Sequence, residues 1–422
     1  MFAVIMAGGK GTRLTSITKN EIPKAMVQIG GKPILQWQID QLQEQDIKDI
    51  VIVIGHLGKA IMDYFGDGEK FGVHIQYILE HTPRGTAGSL ASIPNLGNDF
   101  ILLLGDILFN VDLNRMFSFH KVNKAECTLF VHPNNHPYDS NIIILNNDKV
   151  INILDKKEKN DNWYPNCVSA GIYIFQTKIC EQLPDKVLDL EKDVIQSLIL
   201  KNTVYGYISS EYVKDIGTEK RFHEAEQDLA LNLPQKRSLK QKQKAIFLDR
   251  DGTINQEVGL ISDPSQLELE PRAIEAIKRI NNSEYLAIII TNQPVIAKGM
   301  CSLTDLQLIH HKLETLLGAG GAFVNAIYYC PHHPQSGFIG ENIAYKIKCN
   351  CRKPGTELFT RAAAQFNIDL TESWMIGDRI VDIQAGQAAG TKTILLHNDI
   401  PEVSPTYKTN GLYDAVNLIL GE

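Results

Sequence analysis

The sequence predicts an α/β protein built from two domains. The chain has 422 residues, which is too many for one ordinary hydrophobic core. Apolar, strand-like runs alternate with helix-like segments along its whole length, and a polar, basic segment at 233–244 separates two such series. We therefore expect a first domain over 1–232, a linker over 233–244 and a second domain over 245–422.

Four apolar runs of the first domain have the composition of buried strands: FAVIM, DIVIVIG, VHIQYIL and DFILLLGD. Between the first two, the segment ILQWQIDQLQEQ places Leu35, Ile39 and Leu42 on one helix face. Fully apolar strands separated by helices predict a mostly parallel sheet that is covered on both faces.

The second domain repeats this pattern with the runs KAIFLD, YLAIIITN, AIYYC, SWMIGD and KTILLH. In such sheets the chemistry collects at the carboxyl ends of the strands. Asp106 follows a strand-like run of the first domain, and Asp249 and Asp378 follow two runs of the second. The sequence therefore predicts one site in each domain.

The composition of the chain indicates which binding partners and which cellular compartment to expect. The net charge of −7 argues against general binding of nucleic acid or of a membrane surface. FAVIM has no basic region before it, and no stretch approaches the ~18 apolar residues of a membrane span, so we expect a cytoplasmic protein. Seven cysteines, three of them close together, favour a reduced protein with a metal site over a disulfide framework. Homo-oligomer formation stays open.

The segment AGGKGTRL follows the first strand directly. Gly8, Gly9 and Gly11 allow a sharp turn that points backbone N–H groups at an anion, and Arg13 adds positive charge. The spacing fits neither the Walker loop nor the dinucleotide-binding fingerprint. Lys24 comes shortly after this loop beside a proline, where it can reach the same phosphates.

Together with the segments EIPKAM, EHTPRGTAGSL, LLLGD, AGIYIF, LEKDVI and KDIGT, this loop resembles the sugar-1-phosphate nucleotidylyltransferase family. The resemblance covers about residues 1–230 and implies a Rossmann-like domain with a mixed, mostly parallel sheet. The family's reaction is an in-line attack of a sugar phosphate oxygen on the α-phosphorus of a nucleoside triphosphate, with pyrophosphate as the leaving group. Lys24 and Arg13 would then hold the triphosphate and the charge that develops on it.

The same resemblance implies further roles. Glu80 and Gly85 would hold the nucleobase, and Asp106 and Asp215 would hold Mg²⁺, which suits one or two carboxylates plus phosphate oxygens. The segment EIPKAMVQIGGKPIL looks most like the branch of the family that handles mannose-type and heptose 1-phosphates, with GTP as the expected nucleotide.

Sugar contacts are where the sequence departs from this family. LDKKEK stands where the family usually has Glu-Lys-Pro, so Asp155 and Lys156 are candidates for this role. Ser169 stands where an asparagine is common.

In the second half, LDRDGTI, IITNQ, CRKPG and IGDRIVD occur in the order of the haloacid-dehalogenase superfamily, which the sequence resembles over residues 245 to about 397. The resemblance implies that Asp249 attacks phosphorus and that Asp251 acts as general acid and base. Mg²⁺ would be shared by Asp249, Asp378 and the backbone carbonyl of Asp251. Asp382 would orient the metal shell.

Four further residues are expected around the phosphoryl group. Thr291, Asn292 and Lys353 would bind it, and Arg352 would face it from the same loop as Lys353.

The segments CPHHP and KCNCRKP supply Cys330, His332, Cys349 and Cys351. Three thiolates and an imidazole suit tetrahedral Zn²⁺, and a complete tetrahedron leaves no position for a catalytic water. We therefore expect a structural zinc that fixes the loop carrying Arg352 and Lys353. His333 is an alternative to His332.

The zinc loop resembles that of heptose 1,7-bisphosphate 7-phosphatases and, nearly as closely, that of histidinol-phosphate phosphatases. Removal of the 7-phosphate gives a heptose 1-phosphate, which is the kind of acceptor that the first domain would activate. We therefore expect a bifunctional enzyme of nucleotide-activated heptose biosynthesis for a surface polysaccharide such as lipopolysaccharide. Two alternatives are a mannose 1-phosphate nucleotidylyltransferase joined to a histidinol-phosphate-like phosphatase, and a chain in which one half is a degenerate sensing module.

Overall fold

The computed structural model describes residues 1–9, 12–94, 97–159, 163–397, 402 and 404–421. This part of the chain divides into two compact units. Unit 1 contains Met1–Val131, Ile143–Ile153 and Ser169–Ser238, and unit 2 contains His132–Ile142, Leu154–Val168 and Leu239–Glu422.

Unit 1 is organised around a nine-stranded sheet. The strands of this part of the chain are β1 (Phe2–Met6), β2 (Gln28–Ile29), β3 (Lys32–Pro33), β4 (Asp49–Ile54), β5 (His74–Leu79), β6 (Asp99–Leu104), β7 (Ile107–Asn110), β8 (Cys127–His132), β9 (Ile142–Asn146), β10 (Lys149–Leu154), β11 (Val168–Gln176), β12 (Val204–Ile208) and β13 (Tyr212–Asp215). The helices are α1 (Thr15–Thr18), α2 (Ile34–Gln43), α3 (Gly58–Phe65), α4 (Leu113–Val122), α5 (Gln196–Ile199), α6 (Glu219–Ala230) and α7 (Leu233–Lys236).

The large sheet has the order β5-β4-β1-β6-β11-β8-β12-β10-β9. β1 pairs in parallel with both β4 and β6, whereas β11 runs antiparallel to β6. The four apolar runs of the first half all form strands of this sheet. β1, β4 and β6 are almost completely buried, whereas β5 lies at the edge of the sheet and exposes His74, Gln76 and Leu79. The prediction of a mixed, mostly parallel sheet is confirmed.

A separate two-stranded sheet brings two predicted metal ligands together. In this sheet β7 pairs with β13 in antiparallel register, so that Asp215 lies opposite Ile107. The N–H of Ile216 donates to the carbonyl of Asp106 over 2.9 Å. Asp106 and Asp215 therefore lie on adjacent backbone segments, although 109 positions separate them in sequence.

Unit 2 contains a six-stranded, fully parallel sheet of order β16-β15-β14-β17-β18-β19. Its strands are β14 (Lys244–Leu248), β15 (Tyr285–Asn292), β16 (Ala326–Cys330), β17 (Trp374–Gly377), β18 (Lys392–Leu396) and β19 (Tyr407–Thr409). Its helices are α8 (Ala273–Asn281), α9 (Leu303–Ala319), α10 (Glu357–Phe366), α11 (Ile380–Ala389) and α12 (Leu412–Leu420). All five runs predicted for the second half are strands of this sheet.

The compact units differ from the division expected from sequence. Two segments of the first half, 132–142 and 154–168, belong to unit 2. Tyr164 exchanges two hydrogen bonds of 3.1 Å with the hydroxyl of Thr315 on α9, which ties the second of these segments to the helix. The segment expected as a linker is ordered: residues 233–236 form α7, and Leu233 and Leu239 are buried. Within the described residues, no helix has the length and apolar character needed to cross a membrane.

Candidate active sites

A cleft of about 740 Å³ opens at the carboxyl ends of β1, β4 and β6 in unit 1. It contains six residues predicted from the sequence to act here: Gly8, Gly9, Lys24, Glu80, Gly85 and Asp106. Gly11 lies outside the described residues. His56 and His81 also line the cleft and were not predicted, although their places after β4 and β5 were a usable signal.

Glycine is required where the cleft wall is tightest. Gly85 has a φ of +78°, and a Cβ at this position would lie 2.3 Å from the carbonyl oxygen of Leu188. Any side chain would therefore clash with backbone as well as strain its own conformation. Glu80 accepts a hydrogen bond from Ser89, and a Cβ on Gly8 would lie 3.1 Å from Glu80 Oε2. The glycine loop and the predicted base-binding wall are thus in close contact.

Charged groups meet beside Lys24 and Asp106, although Arg13 and Asp215 are not themselves among the residues that line the cleft. Lys24 forms an ion pair with Asp106, and both side chains are mostly buried. Arg221 Nη1 lies 2.5 Å from Asp215 Oδ2. A Cβ on Gly217 would lie 2.6 Å from Asp215 Oδ1 and 3.3 Å from Arg13 Nη2, so Arg13 and Asp215 flank the same glycine.

The carboxylates of Asp106 and Asp215 could bind a cation. Asp215 Oδ1 is buried and accepts no hydrogen bond from the described residues. Such an oxygen is costly to bury without a partner. Together with the neighbouring Asp106 it offers the hard oxygen ligands that Mg²⁺ prefers. Asp155 and Lys156 begin a short 3-10 turn, and neither is among the residues that line the cleft.

The second site lies at the carboxyl end of the sheet in unit 2. Asp249 follows β14, Asp378 follows β17 and Asp382 lies in the first turn of α11. One carboxylate oxygen from each of the three lies within 4.8 Å of the others, which is a spacing that a single metal ion can bridge. Gly252 permits this packing, since its φ is +74° and a Cβ there would lie 2.4 Å from Asp378 Oδ2.

Lys353 is the cation that this site already holds. It is 2% exposed, and its Nζ lies 2.9 Å from Asp249 Oδ1, 2.6 Å from Asp382 Oδ1 and 2.8 Å from the Ile290 carbonyl. Burial alone would lower the pKa of Lys353, but the charges of Asp249 and Asp382 outweigh it and the pKa is raised.

The electrostatic balance of the three carboxylates favours a second cation. Burial and the charge of Asp249 raise the pKa of Asp382 to about 7 and that of Asp378 to about 6. Lys353, together with the charge of Arg379 near Asp378, therefore does not fully compensate the three carboxylates. A divalent ion would keep them ionised near neutral pH, so the donor set fits Mg²⁺.

The side chain of Asp251 points into a separate polar network. Arg250, which is fully buried, donates from Nε and Nη2 to the Asp251 carboxylate at 2.9–3.0 Å. Asn255 Nδ2 donates to the same carboxylate over 3.0 Å and Gln293 Nε2 over 2.9 Å. Arg250 and Gln293 were not predicted from the sequence. Their side chains orient the residue that was predicted to be the general acid.

The predicted phosphate-binding residues Thr291 and Asn292 already form hydrogen bonds with other protein groups. The side chain of Asn292 accepts from the Lys353 N–H over 2.9 Å and donates to the Lys353 carbonyl over 3.1 Å. The hydroxyl of Thr291 accepts from Gln293 Nε2 over 2.9 Å. Asn292 therefore fixes the backbone of Lys353, while the Lys353 ammonium contacts Asp249.

The predicted zinc ligands form one cluster. Sulfur–sulfur distances among Cys330, Cys349 and Cys351 are 3.2–3.5 Å, and His332 Nδ1 lies 3.3 Å from Cys351 Sγ and 3.7 Å from Cys330 Sγ. These spacings, the ligand types and the burial of two thiols fit a tetrahedral Zn²⁺ site. His332 supplies the imidazole, whereas the ring of His333 packs against Phe338.

This cluster is joined directly to the second site. Cys330 ends β16 and lies in register with Asn292 of β15. Cys351 precedes Arg352 and Lys353, and Arg352 Nη1 donates to the His332 carbonyl over 3.3 Å. A metal bound by the cluster would therefore fix the loop that places Lys353 beside Asp249.

The nucleotidyl transferase family model matches residues 2–232, which is more than half of the chain. The chain belongs to the nucleotidyl transferase family. Over 233 residues it is 33% identical to D-glycero-alpha-D-manno-heptose 1-phosphate guanylyltransferase of Aneurinibacillus thermoaerophilus, covering 54% of this chain and 98% of that protein. It is also 29% identical over 233 residues to the mannose-1-phosphate guanylyltransferase of Mycobacterium tuberculosis, covering 54% of this chain and 64% of that protein.

The second half of this nucleotidyl transferase family member has different relatives. A HAD-hydrolase-like family model matches residues 350–412. Over 154 residues the chain is 37% identical to D-glycero-beta-D-manno-heptose-1,7-bisphosphate 7-phosphatase of Haemophilus ducreyi, covering 36% of this chain and 82% of that protein. The chain is therefore a fusion of a nucleotidyltransferase with a HAD-like phosphatase, as the sequence predicted.

Proposed function

We propose that this chain makes a nucleotide-activated heptose in two steps. The HAD-like half hydrolyses the 7-phosphate of D-glycero-D-manno-heptose 1,7-bisphosphate, and the nucleotidyltransferase half transfers GMP from GTP to the resulting heptose 1-phosphate. The observation that carries this proposal is the pairing itself. One half is related to an enzyme whose product is the kind of acceptor used by an enzyme related to the other half.

In the phosphatase half, Asp249 is the nucleophile. Its Oδ1 is in contact with Lys353 Nζ and the N–H of Arg250, while its Oδ2 receives no hydrogen bond from the described residues. Oδ2 attacks the 7-phosphorus, the bond to the sugar oxygen breaks, and Asp251 donates a proton to that oxygen. Water then hydrolyses the aspartyl phosphate, with its proton passing to Asp251. Mg²⁺ held by Asp249, Asp378 and the carbonyl of Asp251 would neutralise charge on the phosphoryl oxygens.

In the nucleotidyltransferase half, the chain must bring two anions together. Lys24 and Arg13 bind the triphosphate, and the backbone N–H groups of the glycine loop add to the positive potential. Glu80 and Gly85 contact the nucleobase. A phosphate oxygen of the sugar attacks the α-phosphorus, and the bond to pyrophosphate breaks. Asp106 and Asp215 would hold Mg²⁺, which would neutralise negative charge on the triphosphate and on the leaving pyrophosphate.

Three other features belong to the proposal. Zn²⁺ at Cys330, His332, Cys349 and Cys351 is structural, since all four positions of a tetrahedron are filled by protein. Asp155 and Lys156 stay candidates for the sugar contact on the sequence resemblance alone. The seven cysteines, all of which lie in the described residues, form no disulfide, which suits a cytoplasmic setting.

The anomeric configuration constrains the pairing. Hydrolysis at C7 leaves C1 untouched, so both halves must accept the same anomer. The guanylyltransferase relative is named for the α-anomer and the phosphatase relative for the β-anomer. We propose that the α-anomer is the common substrate, because only the nucleotidyltransferase half acts at C1. Mannose 1-phosphate is a second candidate acceptor, supported by the relative from Mycobacterium tuberculosis.

The decisive experiment is an activity grid with the purified chain, Mg²⁺, each of the four common nucleoside triphosphates, and the 1-phosphates of heptose, mannose and glucose. We expect the fastest pyrophosphate release with GTP and the heptose α-1-phosphate. Release with mannose 1-phosphate but not with heptose 1-phosphate would replace the proposed acceptor.

Asp249→Asn separates the two steps. It should abolish phosphate release from the bisphosphate and leave transfer to supplied heptose 1-phosphate unchanged, because Asp249 belongs to unit 2 only. Asp414→Asn, an exposed carboxylate on α12, is the matched control and should retain both activities. Loss of both activities in Asp249→Asn would contradict two independent sites.

A further inference from the structure

We infer that Gln38 is a positioning residue for Asp106, and this inference rests on the proposed role of Asp106 in binding Mg²⁺. Gln38 lies on α2 and is completely buried. Its Nε2 donates one hydrogen bond of 2.8 Å to the Leu104 carbonyl and another of 2.8 Å to the Ile107 carbonyl. These two carbonyls flank the dipeptide Gly105–Asp106.

The strand pattern explains why this dipeptide needs support. β6 ends at Leu104 and β7 begins at Ile107, so the chain leaves the nine-stranded sheet at Gly105 and Asp106. The antiparallel register of β11 on β6 begins at Leu103, one residue before the break. Buried carbonyls that lose their ladder partners must find another donor. The side-chain amide of Gln38 supplies both donors and so links the end of β6 at Leu104 to the start of β7 at Ile107.

Three contacts then define where Asp106 lies. Lys24 pairs with its carboxylate, the N–H of Ile216 donates to its carbonyl over 2.9 Å, and Gln38 fixes the residues on either side. Only the Lys24 contact reaches the reacting groups. Gln38 has no exposed surface and is not among the residues that line the cleft, so it influences the reaction through the position of Asp106.

A second buried glutamine provides a matched control. Gln45, just after α2, donates to the carbonyls of Gln41 and Val111 over 3.1 and 3.0 Å and accepts from the Leu113 N–H over 2.8 Å. Gln45 therefore fixes the backbone that follows β7 through side-chain amide hydrogen bonds, as Gln38 does for the backbone that precedes β7. Gln38 and Gln45 differ in which end of β7 they fix, and only Gln38 flanks Asp106.

The test compares Gln38→Met and Gln45→Met in the full chain, with GTP and heptose 1-phosphate. We expect both variants to lose thermal stability. Gln38→Met should in addition need roughly tenfold more Mg²⁺ for half-maximal nucleotidyl transfer, about the effect of one or two lost hydrogen bonds. A wild-type maximal rate of nucleotidyl transfer at saturating Mg²⁺ verifies that unit 1 of each variant is folded, and phosphate release by unit 2 should stay at the wild-type rate.

Gln38→Glu gives an independent readout that a merely structural role would not produce. Its protonated acid can still donate one hydrogen bond, whereas its ionised form repels both carbonyls, so its Mg²⁺ requirement should rise with pH more steeply than that of the wild type. Wild-type Mg²⁺ dependence in Gln38→Met, or an equal shift in Gln45→Met, would overturn the inference. Absence of nucleotide sugar from the wild type in the whole grid would instead overturn the proposed function.

Discussion

The carboxylate of Asp251 is surrounded by hydrogen-bond donors. Arg250, Asn255 and Gln293 all bind its carboxylate, and Arg250 has no exposed surface. A general acid must be aimed at the leaving oxygen before it can contribute to the rate. Arg250 presents two N–H groups in a fixed plane, which an ammonium group cannot reproduce.

Arg250→Lys should therefore lower kcat for phosphate release by roughly tenfold or more, as part of the 10²–10⁴-fold that general acid–base catalysis typically supplies. KM for the bisphosphate should change little, because Arg250 does not reach the solvent. Steady-state kinetics of phosphate release will check this, with nucleotidyl transfer as the internal control. Equal kcat values in the variant and the wild type would show that Arg250 does not orient Asp251.

Individual residues also show where sequence reasoning stops. The resemblance of four motifs to the haloacid-dehalogenase superfamily pointed to Asp249, Asp378 and Lys353. The places of Asp249 and Asp378 directly after strands could also be read from the apolar runs. Arg250 and Gln293 could not be predicted, since their contacts depend on how neighbouring strand ends are aligned. The sequence contains a signal for the role of Gln38. Gln38 is a polar residue on the same helix face as the buried Leu35 and Leu42, and such a residue usually has backbone groups to bind.

At the level of secondary-structure elements, the segments that carry the predicted zinc ligands connect two parts of the phosphatase site. Cys330 ends β16, and Cys349 and Cys351 lie just before Lys353. The sequence predicted all four ligands but left His332 and His333 as alternatives, because both are two to three residues from Cys330. The backbone after β16 turns His332 toward the sulfur atoms.

Cys351→Ser should release the zinc and lower phosphate release, because the loop that positions Lys353 would lose its anchor. Nucleotidyl transfer should remain. Metal analysis of the purified variant, together with both activity assays, will check this. Cys301→Ser, which removes a thiol outside the cluster, is the control. Full phosphatase activity in a zinc-free sample would contradict the proposed role of the metal.

Helix α9 carries a carboxylate in an unfavourable environment. Burial raises the pKa of Glu314 to about 7, and the hydrogen bond from the Asn166 N–H acts in the opposite direction. Between about pH 4.5 and pH 7 the folded protein keeps a proton that the unfolded chain has released. The contribution of this group to the free energy of unfolding therefore falls as the pH rises through that range.

Glu314→Gln should consequently be more stable than the wild type at pH 8, by about 1–3 kcal/mol, with the difference disappearing near pH 4.5. Chemical denaturation of unit 2 across this pH range will measure it. Glu268→Gln, which changes an exposed carboxylate, should show no such pH-dependent gain. A Glu314→Gln variant that is less stable than the wild type at pH 8 would contradict the assignment.

At the scale of the whole molecule, the pattern of strands and helices was predictable because apolar runs have few ways to be buried in an α/β fold. Each of the apolar runs that we expected to form a strand is a strand in the structure. The compact units were less predictable. Segment 154–168 belongs to unit 2 because of specific contacts such as those between Tyr164 and Thr315, and no local composition marks such contacts in advance.

The proposed function implies an order of reactions. Phosphate must leave C7 before the product enters the nucleotidyltransferase site, while C1 keeps its phosphate throughout. If both halves serve one pathway, the products of the two sites must appear in a fixed ratio.

The most direct test supplies the purified chain with the α-anomer of D-glycero-D-manno-heptose 1,7-bisphosphate, GTP and Mg²⁺, and measures phosphate, pyrophosphate and nucleotide sugar together. The account predicts GDP-heptose, with equal amounts of phosphate and pyrophosphate at completion. Release of phosphate without pyrophosphate or nucleotide sugar, with either anomer, would contradict it.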